Sequence, residues 1–228
     1  MLSPTDSESL LRLLLREQVL RFGQFQTKSG RISPYFFNFG AINRAQDLAI
    51  LGHYFATVIN GLLPSTSKQV CLFGPAYKGI SLAIASADAL SKLRPGLDVH
   101  FCFNRKEAKN HGEGGSLIGF VPQKDSTLIL IDDVLTGGTS LRENLVLLAK
   151  MQLKPTFSLV CIDRQEKGSR EISARQELEQ DFACSLHSLV ELDWIVQALF
   201  NKELDGKIYI DEFCMTQISG YQKLYKVK

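Results

Sequence analysis

The sequence predicts an α/β fold in which a mostly parallel central sheet is flanked by helices. Three observations carry that expectation. Apolar runs of strand length, Val70–Phe73, Thr127–Ile131 and Thr156–Ile162, have the composition of strands buried on both faces. Between them lie longer segments whose apolar residues recur at helical spacing. The two kinds of segment alternate, as parallel sheets require, because a parallel crossover needs a dozen or more residues and is usually a helix.

The elements follow in order. Thr5 with Glu8 has capping-box form ahead of Leu10, Leu11, Leu13, Leu14 and Leu15, the apolar face of a first helix. Leu48, Leu51, Tyr54, Phe55 and Val58 predict a second helix across 44–62. Val70–Phe73 ends at Gly74-Pro75, a strand and turn, and a helix rich in small residues follows over Gly79–Leu93. Val99–Phe103 and Ser116–Val121 are strand candidates on either side of a polar stretch. Thr127–Ile131 is the clearest buried strand, leading through a glycine turn into a helix with Leu141, Leu145, Leu148 and Met151. Thr156–Ile162 supplies one more strand. Ser188 and Glu191 have capping-box form before a helix through Trp194 and Leu199, and Ile208–Tyr225 reads as a final helix. No functional motif is apparent in 184–228. Without repeats or linker-like stretches, residues 1–228 read as one domain, with the first helix and the 22–40 segment contributing a small N-terminal lobe.

Composition excludes some classes of function. The chain has 228 residues, is 45% hydrophobic and carries a net charge of +2, too near neutral to argue for nucleic acid or an anionic membrane. The five cysteines are scattered without a CxxC pair, which suits structural thiols in a reducing compartment. No secretory pattern opens the chain and no apolar run approaches spanning length, so a cytoplasmic protein is expected. His53, His100 and His187 belong to no recognisable constellation.

The most informative stretch is Ile131-Asp132-Asp133-Val134-Leu135-Thr136-Gly137-Gly138-Thr139-Ser140. Two carboxylates stand at the carboxyl end of a buried strand, where open α/β sheets place their ligands. The glycines let backbone amides approach an anion, Thr136, Thr139 and Ser140 add hydroxyls, and the helix starting near Ser140 aims free N–H groups at the same point. Carboxylates beside a phosphate make sense if they accept from sugar hydroxyls, or meet Mg²⁺ directly or through water. Neighbouring strand residues face opposite ways, so the two need not share one ligand. The spacing is neither a P-loop nor a dinucleotide fingerprint. It resembles the phosphoribosyl pyrophosphate motif of type I phosphoribosyltransferases, with Gly137 where many members have alanine.

The segment Asn104–Gly115 combines four potential cations with three glycines, suiting a mobile loop that meets a polyanion. It is similar to the catalytic loop of orotate phosphoribosyltransferases, in which residues matching Arg105, Lys106, Lys109 and His111 reach the pyrophosphate in a neighbouring subunit's site. Three more segments resemble that family. Phe25–Asn38 matches its N-terminal signature, implying that Lys28 contacts substrate and that Phe36-Phe37 enclose the orotate ring. Gly74–Gly79 matches a turn whose Tyr77-Lys78 pair binds phosphoribosyl pyrophosphate. Asp163–Gly168 matches a segment whose arginine, here Arg164, holds orotate, and a planar guanidinium suits that carboxylate.

The resemblance spans about 20–170 and implies the type I phosphoribosyltransferase fold with a hood-like N-terminal lobe. It implies transfer of a phosphoribosyl group to orotate by a homodimer that shares loop 105–115 across its interface. Lys109, His111, Arg105, Lys106 and Asp133 would be the catalytic group. Phosphoribosyl pyrophosphate would meet Lys28, Tyr77, Lys78, the loop cations and Asp132 through Ser140. Orotate would meet Lys28, Phe36, Phe37, Thr136 and Arg164. Mg²⁺ would be held mainly by substrate and water near Asp132 and Asp133, with no protein ligand assigned. Two rival readings are a regulatory protein of this fold that binds nucleic acid and a transferase for another base. The retained loop and low net charge oppose the first; Lys28, Phe36-Phe37 and Arg164 oppose the second.

Overall fold

A computed structural model describes residues 2–27, 30–106 and 116–227. Its first helix, α1 (Pro4–Arg16), starts two residues earlier than expected. Ser3 is the cap, its hydroxyl accepting from the Asp6 N–H, and Pro4 occupies the first helical position, where a missing N–H costs nothing. The expected Thr5–Glu8 box lies inside the helix. The chain then forms an antiparallel hairpin, β1 (Leu20–Gln26) and β2 (Ile32–Phe37), with an irregularity in register between Phe22 and Phe25. No strands were expected in this part of the chain.

The central sheet follows, built from β3 (Gln69–Phe73), β4 (Asp98–Asn104), β5 (Leu117–Gly119), β6 (Leu128–Leu135), β7 (Phe157–Asp163) and β8 (Ser185–Glu191). Their spatial order is β5-β4-β3-β6-β7-β8, all parallel except the β4–β5 pair. The helices are α2 (Ala45–Leu62), α3 (Lys78–Leu93), α4 (Thr139–Lys150), α5 (Ala174–Phe182), α6 (Leu192–Leu199) and α7 (Glu212–Tyr225). A two-stranded ribbon, β9 (Glu203–Leu204) with β10 (Lys207–Ile208), precedes α7.

Strand alternation divides the core into two layers. Val70, Leu72, Ile129, Ile131, Leu159 and Cys161 join a cluster with α1, α2, α3, α6, α7 and the hairpin residues Tyr35 and Phe37. Cys71, Phe73, Leu128, Leu130 and Val160 face the opposite way, toward Leu141, Leu145 and Leu148 of α4 and Leu178 of α5. Cys71, Cys102, Cys161 and Cys184 are buried free thiols, and Cys214 is half-buried. Among the described residues no helix is long and apolar enough to cross a membrane.

The expected helix start at Ser188–Glu191 is corrected. These residues form the end of β8, which pairs with β7 from Phe157↔Ser185 to Asp163↔Glu191, and α6 begins only at Leu192. Helix α5 was also not foreseen, and it carries a complete capping box between Ser173 and Gln176. The last helix starts at Glu212 under an Asp211 cap, four residues later than expected.

This topology fixes where a ligand can sit. From β3 the chain crosses over α3 to β4 on one side, whereas from β6 it proceeds through β7 to β8 on the other. The order therefore reverses between β3 and β6, and the crevice beyond their carboxyl ends is the switch point at which open α/β sheets bind ligands.

Candidate functional site

Two turns meet at that crevice. The first leaves β3 through Gly74, Pro75, Ala76 and Tyr77, and includes a cis peptide between Ala76 and Tyr77. A Cβ on Gly74 would lie 2.1 Å from the Gly79 carbonyl oxygen, and one on Gly79 would lie 2.6 Å from Pro75 Cδ. Only glycine at both positions lets the start of α3 fold back so closely onto the strand. The turn is also held by the Ala76 N–H donating to Asn104 Oδ1 at 2.8 Å, a tie to the end of β4. Lys78 opens α3, and its Nζ lies 3.0 Å from Asp133 Oδ2 across the crevice.

The second turn leaves β6. The strand continues four residues beyond the expected Ile131, so both carboxylates belong to it rather than to the turn. Asp132 points inward and is buried, while Asp133 is half-buried. The Asp133 N–H donates to Asp132 Oδ1 at 2.9 Å, and Ser140 Oγ donates to Asp132 Oδ2 at 3.3 Å. Burial, reinforced by the neighbouring Asp133 charge, raises the Asp132 pKa to about 7. Gly138 caps α4 in a left-handed conformation, φ 82°, and supplies no side-chain partner for the helix N-terminus. Thr136 is half-buried, and Gly137, Thr139 and Ser140 are exposed. The arrangement offers free amides and hydroxyls at a positive helix end, with carboxylates one step behind: an anion site beside a diol site.

Of the loop cations, Arg105 and Lys106 are described. Lys106 Nζ lies 4.6 Å from the centre of the exposed Tyr77 ring, and the Arg105 N–H donates to the Ser116 carbonyl oxygen at 2.9 Å. Arg105 Nε is buried without a hydrogen-bond partner among the described residues. The base of the loop thus stands beside the β3 turn. Lys109 and His111 lie outside the described residues, as does Lys28.

Of the residues expected to select the base, Arg164 lies at the end of β7, Thr136 at the end of β6, and Phe36 and Phe37 on β2. The Arg164 N–H donates to the Leu135 carbonyl oxygen at 3.0 Å, which places it beside the β6 turn. Its side chain is buried. Nε donates to Glu166 Oε1 at 2.8 Å, Nη2 reaches Ser33 Oγ and the Tyr221 hydroxyl, each at 3.3 Å, and the guanidinium lies 4.8 Å from the Tyr35 ring centre. Phe36 and Phe37 separate. Phe36 stacks on Phe25 at 5.4 Å with the Arg21 guanidinium over both rings, whereas Phe37 is a core side chain near Tyr35. Sequence reasoning did not find Asn104, Ser33, Tyr35, Glu166 or Tyr221. The first four lie within segments singled out in the sequence but received no role there, and Tyr221 comes from the far end of the chain.

A second polar network secures the approach to α4. Glu177 of α5 accepts from Arg142 at 2.6 Å, Ser169 Oγ at 2.6 Å and the Arg170 N–H at 3.0 Å. Burial pushes its pKa up, but these donors and the Arg142 charge outweigh burial and bring it down to about 2. The carboxylate is held charged and ties the 168–170 segment to α4 and α5.

Comparison with known proteins places these features in a family. Residues 41–181 match the phosphoribosyl transferase domain. The orotate phosphoribosyltransferase of Photorhabdus laumondii is 46% identical over 83% of this chain and 86% of its own length. That of Haemophilus ducreyi is 48% identical over 82% and 84%. The crystal structure of the Francisella tularensis orotate phosphoribosyltransferase aligns with a TM-score of 0.75 at 35% identity, covering 96% of this chain and 99% of that one.

Proposed function

The chain belongs to the orotate phosphoribosyltransferase family, and we propose that it performs that family's reaction with the residues gathered at the β3–β6 switch point. The reaction joins orotate to 5-phosphoribosyl 1-pyrophosphate, giving orotidine 5′-monophosphate and pyrophosphate on the route to UMP. One observation carries the assignment of residues. Strand β6 delivers Asp132 and Asp133 directly into a turn that ends on the uncapped N-terminus of α4, with Lys78 at 3.0 Å from Asp133. The 5′-phosphate sits on the amides and hydroxyls of Thr136–Ser140, and the ribose hydroxyls donate to Asp132 and Asp133.

Catalysis on this reading is electrostatic. Positive charge develops on the ribose as the pyrophosphate departs through an oxocarbenium-like transition state, and negative charge grows on the leaving group. Lys78, Arg105, Lys106, Lys109 and His111 neutralise that leaving group. Loop 105–115 closes from a partner subunit of a homodimer and keeps water from the activated sugar. Arg164 pairs with the orotate carboxylate, with Lys28 and Thr136 beside it. Phe36, half-buried, offers its ring to the base, whereas Phe37 packs in the core behind it.

Mg²⁺ fits this donor set. Among the described residues no three His, Cys, Asp or Glu side chains form a metal cage. A hard cation that keeps several waters and binds substrate phosphates needs one or two nearby carboxylates, which Asp132 and Asp133 supply. Bound there, it would neutralise pyrophosphate charge. The reading treats 1–228 as one cytoplasmic domain without nucleic-acid or membrane partners.

The test is an absorbance assay of orotate consumption with phosphoribosyl pyrophosphate, with and without Mg²⁺, against adenine and uracil as rival bases. Turnover confined to orotate and dependent on Mg²⁺ is expected. Preference for another base would overturn the substrate assignment, and full activity in chelator would remove the metal.

A further inference from the structure

The C-terminal helix has no part in the reaction as described so far, yet it reaches the residue assigned to the orotate carboxylate. Tyr221 is buried, and its hydroxyl joins both halves of an ion pair. It accepts from Arg164 Nη2 at 3.3 Å and donates to Glu166 Oε1 at 3.2 Å. Burial raises its pKa, so the phenol keeps the proton it donates. Around the same guanidinium, Ser33 Oγ holds Nη2 from β2, and the Tyr35 ring lies against it at 4.8 Å.

We propose that Tyr221 is a positioning residue for orotate: with Glu166 it fixes the plane of the Arg164 guanidinium so that Nη1 faces the base. The inference rests on the assignment of Arg164 to orotate.

The physical case is directional. Nε and Nη2 are engaged by Glu166, Ser33 and Tyr221, so the donors left for a carboxylate are those of Nη1, and a rotation of the guanidinium plane turns them away from it. Glu166 Oε1 accepts from Nε and also lies within reach of Nη2, and a single acceptor oxygen leaves the plane free to swing about it. Tyr221 and Ser33, both on Nη2, supply the further points that remove this freedom, and Tyr221 alone of the two also ties to Glu166. The helix is itself held at the site. The Lys167 N–H donates to the Tyr225 carbonyl oxygen at 2.7 Å, Gln222 Nε2 donates to Asp193 at 3.2 Å, and the Arg31 guanidinium sits 4.4 Å from the Tyr225 ring centre. Arg31 also approaches Glu166 Oε2 at 3.6 Å, so hairpin, β7 end and α7 converge on one carboxylate.

A double-mutant cycle in the intact protein tests the proposal, reading KM for orotate, KM for phosphoribosyl pyrophosphate, kcat and thermal stability. Tyr221→Phe keeps the ring packing on Tyr35 and Tyr225 and removes only the hydroxyl. It should raise the orotate KM about three- to tenfold, the range of one lost hydrogen bond, without moving the other KM. In an Arg164→Ala background the same change should have no further effect on orotate. Ile218→Val, a buried change on the same helix, should lower thermal stability without altering the orotate KM. If Arg164→Ala leaves the orotate KM unchanged, the base-site assignment falls and this proposal with it. If Arg164→Ala raises it and Tyr221→Phe does not, the base site stands and the positioning role is overturned. A Tyr221→Phe effect that persists undiminished without Arg164 also overturns it.

Discussion

The raised pKa of Asp132 makes binding of the sugar depend on pH in a calculable way. Ribose hydroxyls donate to a carboxylate, so the ligand selects the ionised form of Asp132, whose pKa in the free protein is about 7. About one site in ten is ionised at pH 6 and about nine in ten at pH 8, so affinity should improve about tenfold over that range, or about 1.4 kcal/mol. The sign follows from linkage: binding lowers the pKa and releases a proton, so raising the pH favours the complex. Ribose 5-phosphate is the suitable probe, because it lacks the pyrophosphate that the loop cations meet. Its own phosphate titrates near pH 6, which the variant Asp132→Asn controls for. Calorimetric titrations of both proteins from pH 5.5 to 8.5 should give a ratio of dissociation constants that diverges as pH rises and levels above about pH 8. A ratio independent of pH would refute the reasoning, since the ligand would then be indifferent to the charge on Asp132.

Further expectations follow from other parts of the structure. Gly79→Ala places a Cβ 2.6 Å from Pro75 Cδ and 3.1 Å from the Ile131 carbonyl oxygen, so calorimetry should show a loss of about 1–3 kcal/mol with weakened substrate binding. Glu177 remains a carboxylate to about pH 2 in the folded state against an ordinary value of 4.5. The unfolded chain therefore binds more protons between those values, and stability should fall as pH drops through that window; Glu177→Gln should flatten this part of an acid denaturation curve. A hybrid dimer of one Lys109→Ala subunit and one Asp132→Asn, Asp133→Asn subunit should regain activity at one site, because a loop acting across the interface restores one intact pair. No recovery in verified hybrids would exclude the shared site.

Much of this arrangement was legible in the sequence wherever one physical signal dominated. The apolar run Thr127–Ile131 announces β6, and the glycines and hydroxyls after Leu135 lie in the turn into α4; the strand runs on through the two carboxylates, which the drop in hydropathy at Asp132 concealed. The end of β8 was misread because Ser188 and Glu191 have the spacing of a capping box, and the strand's buried residues Leu186, Leu189 and Val190 do not alternate. Pairing with β7 along its whole length decided the matter, and that is a tertiary contact. The hairpin was missed because its register breaks at Phe22–Phe25 and so spoils the period of two. Helix α5 is too polar to show an apolar face, its stability resting on a cap and on Glu177. Tyr221 left no trace, because its partners lie 55 and 57 residues away in sequence.

The central claim is that the turn Asp132–Ser140 at the switch point holds the phosphoribosyl group. Binding of phosphoribosyl pyrophosphate to Asp132→Asn, Asp133→Asn, with folding verified by circular dichroism, tests it most directly. Two charge-assisted hydrogen bonds are lost at about 1.5–3 kcal/mol each, so affinity should drop by at least about a hundredfold while the spectrum stays unchanged. Undiminished binding by the folded variant would contradict the account.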